Sequence, residues 1–159
     1  MGSGGVEGLF VRFQAAAPNR GGWFPGVFAL VNGLAWAGRL TEGQERYRQR
    51  ENAWYRENLL DPSASDPAVY DREAHPGAAA WFKATAGEMI SRVDGYTAIL
   101  DAHGVGWTRL ESVDPGGILY EDGHQIVVRP DHRESGVDAG TWGREPRLWK
   151  AALMRVLLV

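Results

Sequence analysis

The sequence predicts an α+β fold: a single small antiparallel or mixed sheet, with a β-hairpin in its C-terminal half, packed by three or four helices. Three observations predict it. Some stretches repeat apolar residues at helical spacing, while others are short runs of strand type. The two kinds follow one another only loosely, without the regular alternation of a doubly wound parallel sheet. Asp122-Gly123 lies between two apolar runs, the pattern of an antiparallel hairpin closed by a tight turn. With 159 residues, 44% of them hydrophobic, the chain has the size and apolar content of one domain, 1–159.

The glycine-rich residues 1–8 are expected to be a flexible N-terminus. Leu9–Gln14 alternates and reads as the first strand. Pro25 then opens a helix from Gly26 to Ala37, with Val27, Leu30, Val31 and Leu34 on one side and Gly38 as its stop. Its apolar character on most sides predicts a buried helix. Thr41 and Gln44 form a capping box for a second helix to Asn58, which is charged all round except for a seam of Tyr47, Trp54 and Tyr55. Asp61–Gly77, carrying Pro62, Pro67 and Pro76, reads as a long connection, a length common in functional loops.

Ala79–Lys83 is the next strand. Thr85 with Glu88 suggests a second capping box, opening a helix that runs to His103 before Gly104. Trp107–Val113 reads as a strand, and Asp114-Pro115-Gly116-Gly117 turns the chain. Ile118–Glu121 and His124–Val128 form the hairpin about a type I′ turn. Residues 131–143 read as a loop. Pro146 opens a last helix with a broad apolar side of Leu148, Trp149, Ala152, Leu153, Val156 and Leu157.

Composition excludes several function classes. The net charge of −3 argues against a general nucleic-acid binder, whose affinity rests on neutralising phosphates. The absence of cysteine excludes disulfides, thiolate zinc sites and a cysteine nucleophile. No signal-peptide pattern, membrane span or Asn-x-Ser/Thr acceptor is present, so a cytoplasmic protein without membrane contact is the expectation. Gly2, Gly4, Gly5 and Gly8 do not complete a dinucleotide fingerprint, because Glu7 interrupts it and no strand precedes it. Phosphate-loop, zinc-protease, nucleophile-elbow and EF-hand patterns are also missing. No cofactor is expected.

The stretches GVFALVNGLAWAGRLT, AWFKATAGEMI and DPGGILYEDGHQIVV resemble segments of small actinobacterial α+β proteins. The resemblance covers about a quarter of the chain and implies a bacterial, cytoplasmic setting. It brings no activity, ligand or site residue with it.

Candidate site residues come from local geometry. A two-residue hairpin loop would pair Glu121 with His124, Tyr120 with Gln125 and Leu119 with Ile126. Directly opposed Cβ atoms lie roughly 4.5–5.5 Å apart, so the carboxylate would reach the imidazole and orient it for acid–base work. The same pair would also serve as a solvated ion pair worth under about 1 kcal/mol. Asp71, Glu73 and His75 alternate within the proline-rich connection and would share one side of an extended segment. They suit ligand binding, although a wet loop is polar in any case. His124 with Asp131 and His132 offers nitrogen and oxygen ligands at a spacing that matches no metal motif, so no metal is expected.

Seven tryptophans are spread over the chain. Trp36 and Trp81, inside apolar runs, are expected in the core. Trp23 and Trp142, among glycines and polar residues, are candidates for a binding rim. The last nineteen residues carry four basic side chains against Glu145, and their helix is expected to pack on its own domain or to form a homodimer through 146–159. The functional expectation is an intracellular binding or interaction protein, using an aromatic-lined pocket or acidic surface for a small molecule or protein partner. The alternative is a cofactor-independent hydrolase or group transferase with His124 as base and Glu121 orienting it.

Overall fold

The structure, a computed structural model, describes residues 8–130. The expectations for residues 1–7, for the loop 131–143, for Trp142, and for the helix and homodimer through 146–159 lie outside the described residues. The described elements are β1 (Phe10–Ala15), α1 (Val27–Trp36), α2 (Glu42–Asn58), α3 (Pro62–Ser65), β2 (Ala79–Lys83), α4 (Gly87–Ser91), α5 (Asp94–Ala102), β3 (Trp107–Ser112), β4 (Gly117–Glu121) and β5 (Gln125–Arg129). The strands form one sheet in the order β3-β1-β2-β5-β4, with every neighbouring pair antiparallel. This is an α+β fold.

Strand alternation splits the sheet into two faces. Val11, Phe13 and Phe82 face the helices and join Val27, Phe28, Val31, Tyr55, Tyr96 and Leu100 in one core. Phe28 is its hub, with ring centroids 4.5 Å from Tyr96 and 5.0 Å from Tyr55. A phenol in such a place needs a hydrogen-bond partner. The Tyr55 hydroxyl donates to the Met89 carbonyl at 2.6 Å, and that of Tyr96 donates to Asn52 Oδ1 at 2.6 Å. Burial pushes both phenols well above the ordinary tyrosine pKa.

Several elements form for local reasons. The Thr41–Gln44 capping box is present at both of its hydrogen bonds, and α2 ends at Asn58. Gly38 and Gly104 take positive φ after α1 and α5, as helix-ending glycines do.

Other expectations are corrected. Helix α1 is buried on one side only: Val27, Phe28 and Val31 meet the core, while Trp36 is 52% exposed. The apolar residues all round it exceed what one sheet and its helical neighbours can cover. The second capping box does not form. Thr85 is exposed, the cap position is Ala86 without a side-chain bond, and the expected single helix breaks after Arg92. There the Tyr96 N–H turns to the Val93 carbonyl, and the freed Arg92 carbonyl accepts from the Tyr47 hydroxyl at 3.2 Å. Gly95 permits that approach, since a Cβ there would overlap the Tyr47 ring. The connection 61–77 is not without structure. Asp61 caps α3 through Ser63 N–H, and Val69 is wholly buried against Ala80 and Val127.

Candidate functional site

The hairpin is present in the expected place with a different register. Glu121 pairs with Ile126 and Tyr120 with Val127, and the ladder shifts between Ile118 and Tyr120. Gly123 does not take positive φ, so the type I′ turn is absent. The cause is Asp122. Its Oδ1 accepts from the backbone N–H groups of His124 at 2.8 Å and Gln125 at 3.1 Å, and its Oδ2 accepts from the Tyr120 hydroxyl at 2.7 Å. Asp122 N–H then closes the loop on the Gln125 carbonyl at 3.0 Å. Burial alone would raise the Asp122 carboxyl pKa, but these hydrogen bonds outweigh it and hold the group below the usual range. The same environment pushes the Tyr120 phenol up to about 12, through burial first and its bond to Asp122 second.

The longer loop separates the expected pair. Glu121 engages Lys83 Nζ across the sheet at 2.6 Å instead of the imidazole. His124 is exposed and makes no side-chain hydrogen bond to a described residue. The residue lines an open cleft of about 280 Å³. The other walls are Trp54 and Asn58 from the end of α2, and Thr85 to Met89 from the β2–α4 turn. Three separate parts of the chain converge there. The hydrogen bond from Lys83 N–H to the His124 carbonyl at 2.8 Å ties the loop to the end of β2. One face of Trp54 carries the Arg92 guanidinium, 3.9 Å from the ring centroid, and Arg92 also bonds Glu51 at 3.1 Å. The indole is thereby fixed in place by a cation–π contact.

The other described sequence candidates, Trp23, Asp71, Glu73 and His75, gather at the opposite ends of the strands. Trp23 lies against Gly77, whose φ of +72° and missing Cβ both permit the contact. His75 Nδ1 lies 2.9 Å from the Ala68 carbonyl and 3.2 Å from that of Val69. Asp71 Oδ1 accepts from the N–H of Glu73 at 2.8 Å and of Ala74 at 3.2 Å, and the Glu73 side chain is exposed. Asp71, Glu73 and His75 therefore turn a loop and do not form one side of an extended segment. Asp131 and His132 lie outside the described residues, and among the described residues no cluster of three or more His, Asp or Glu is placed to hold a metal.

At the same end sits Arg12, only 7% exposed, which the alternation of β1 did not mark as special. Strands β1 and β2 pair only at Phe10–Lys83 and Val11–Phe82, then diverge, and Gly26 takes the place opposite Gln14. The guanidinium fills the fork. It donates to Ala80 O at 2.8 Å, Phe24 O at 3.0 Å and Gln14 Oε1 at 2.9 Å. Desolvation lowers its pKa to about 10, which leaves it charged at neutral pH.

Of the cleft residues, His124 alone was a site candidate in the sequence; Trp54, Thr85 and Glu88 were read only as helix-seam and capping residues. Trp54 and Asn58 stand one helical turn apart, which places them on one side of α2. Nothing local signals that this side ends beside the hairpin. No protein-family model, curated protein or solved structure matches the chain. Among the described residues no helix is long and apolar enough to cross a membrane.

Proposed function

We propose that this protein is a cytoplasmic binding protein and that the cleft between α2, the β2–α4 turn and the β4–β5 loop takes a small polar molecule. The observation that carries the reading is His124: it lines the cleft, and no described residue is hydrogen-bonded to its side chain. An aromatic wall with a few convergent polar groups is the usual make-up of a small-molecule site. Trp54 supplies the wall here, and Thr85 and His124 add a hydroxyl and an imidazole, beside the Asn58 amide, which donates to the Trp54 carbonyl, and the Glu88 carboxylate, which pairs with Arg92. At about 280 Å³ the cleft suits a compact ligand better than an extended one. Acid–base catalysis is the less supported role, because the carboxylate expected to orient His124 is held by Lys83.

Gly87 gives a direct test. It lines the cleft, and a Cβ there meets nothing within 4 Å, so Gly87→Phe fills the cleft without disturbing the core. Native mass spectrometry of protein purified without chelator is expected to show a retained small mass in the parent and none in Gly87→Phe. Bare parent protein, or equal retention by a folded variant, would overturn the reading.

A further inference from the structure

The face of the sheet turned away from the helices is covered more completely than its described neighbours explain. Register places Trp81, Ile126, Val128, Phe10, Leu110 and Ile118 on that face. Ile126 and Val128 expose no surface and Trp81 only 8%. Yet the described residues of this cluster all come from strands, whereas the opposite cluster draws on α1, α2 and α5. A bare sheet face would leave such side chains wet. The burial is also graded. It is complete on β5 and falls to an Ile118 that is 53% exposed on the edge strand β4. That profile fits a cover centred on β2 and β5 and about one helix wide, since a helix with side chains measures roughly 10–12 Å and strands lie about 4.8 Å apart.

We propose that residues 146–159 of the same chain are this cover, docked as an amphipathic helix on Trp81, Ile126 and Val128. The chain leaves β5 beside the apolar cluster and continues past Pro130. Residues 131–145 can extend over roughly 50 Å, more than enough to turn back onto the sheet. From Pro146 onward, Leu148, Trp149, Ala152, Leu153, Val156 and Leu157 recur with helical period, while Lys150 and Arg155 fall outside that stripe. Fourteen helical residues span about 21 Å, close to the roughly 17 Å of a five-residue strand. Docking buries the stripe and the sheet face together, and gives the fold a helix–sheet–helix section.

The chain has no cysteine, so Lys150→Cys accepts a single nitroxide label without a background. In dilute ¹⁵N-enriched labelled protein, the amides of Ala80, Trp81 and Ile126 to Val128 are expected to lose most of their intensity. Those of Glu42–Asn58, behind the sheet, are expected to keep most of theirs. An equimolar mixture of enriched unlabelled protein with unenriched labelled protein is expected to show no broadening. Adding Leu153→Glu to the labelled chain is expected to restore the strand signals and leave the Phe28 and Tyr96 signals in place. Unbroadened strand amides, or broadening strongest on α2, would overturn the proposal. Broadening in the mixed sample would also overturn it, and would assign the cover to a second copy.

Discussion

The two ends of the sheet use similar residues for different purposes. At the Arg12 end, the conspicuous side chains are consumed by the fold. The Trp23 ring lies on Gly77, His75 meets two carbonyls, Asp71 holds a turn, and the Arg12 guanidinium fills the fork between β1 and β2. At the β4–β5 end, Asp122 and Gln125 perform the structural task, and His124 is left beside an open cleft. Residue type does not separate the two cases, because each end offers a histidine, a carboxylate and a tryptophan. What separates them is whether backbone groups nearby lack partners. The diverging strands and the 61–77 connection leave carbonyls and N–H groups that side chains must satisfy. The short loop at the other end leaves few, and Asp122 and Gln125 answer them.

Substitutions at the two ends should therefore differ in kind. Arg12→Met removes donors from two carbonyls and should cost the most, about 3 kcal/mol in urea unfolding, because buried acceptors would lose their partners. A loss below about 1 kcal/mol would mean that water reaches the fork. Gly77→Ala places a Cβ against Trp23 at positive φ and should cost about 2 kcal/mol, with no effect on ligand retention in the cleft. A folded Gly77→Ala that lost its ligand would erase the distinction between the ends.

The hairpin loop offers a test with a sign. Because the Asp122 carboxyl is held below its ordinary pKa, the charge contributes stability above the unfolded value near 3.9. Asp122→Asn should be less stable than the parent by about 1 kcal/mol at pH 6. The difference should close as pH falls below about 4 and through the lower folded value. A pH-independent difference would trace the cost to geometry and not to charge. His124→Ala should be the mildest change, within about 0.5 kcal/mol of the parent, since the imidazole holds nothing in the fold. A loss of several kcal/mol there would make His124 structural and remove it from the site.

The same distinction explains what could be read from the sequence. Elements governed by their own residues were legible: the short strand Ala79–Lys83, the Thr41–Gln44 box, and the glycines that end α1 and α5. Features decided by a distant residue were not. The break after Arg92 depends on a tyrosine from α2, and the splay at Arg12 depends on where Gly26 meets β1. The hairpin register is the intermediate case. Asp122-Gly123 suits a two-residue turn, but the carboxylate binds two N–H groups and Tyr120 by enlarging the loop, a choice that steric turn rules do not register. For the cleft, only His124 was legible, because convergence of α2 with the β2–α4 turn is a property of packing.

The proposed cleft lies at one end of the sheet, and the Arg12 end is its natural control. The direct measurement is a ¹H–¹⁵N chemical-shift titration of the full chain with a panel of small polar fragments. Binders are expected to shift the amides of Thr85 to Met89 and His124 together with the Trp54 indole N–H, and Gly87→Phe is expected to abolish these shifts. Shifts clustered instead on Trp23, Gly77 and His75, or persisting in folded Gly87→Phe, would contradict that expectation.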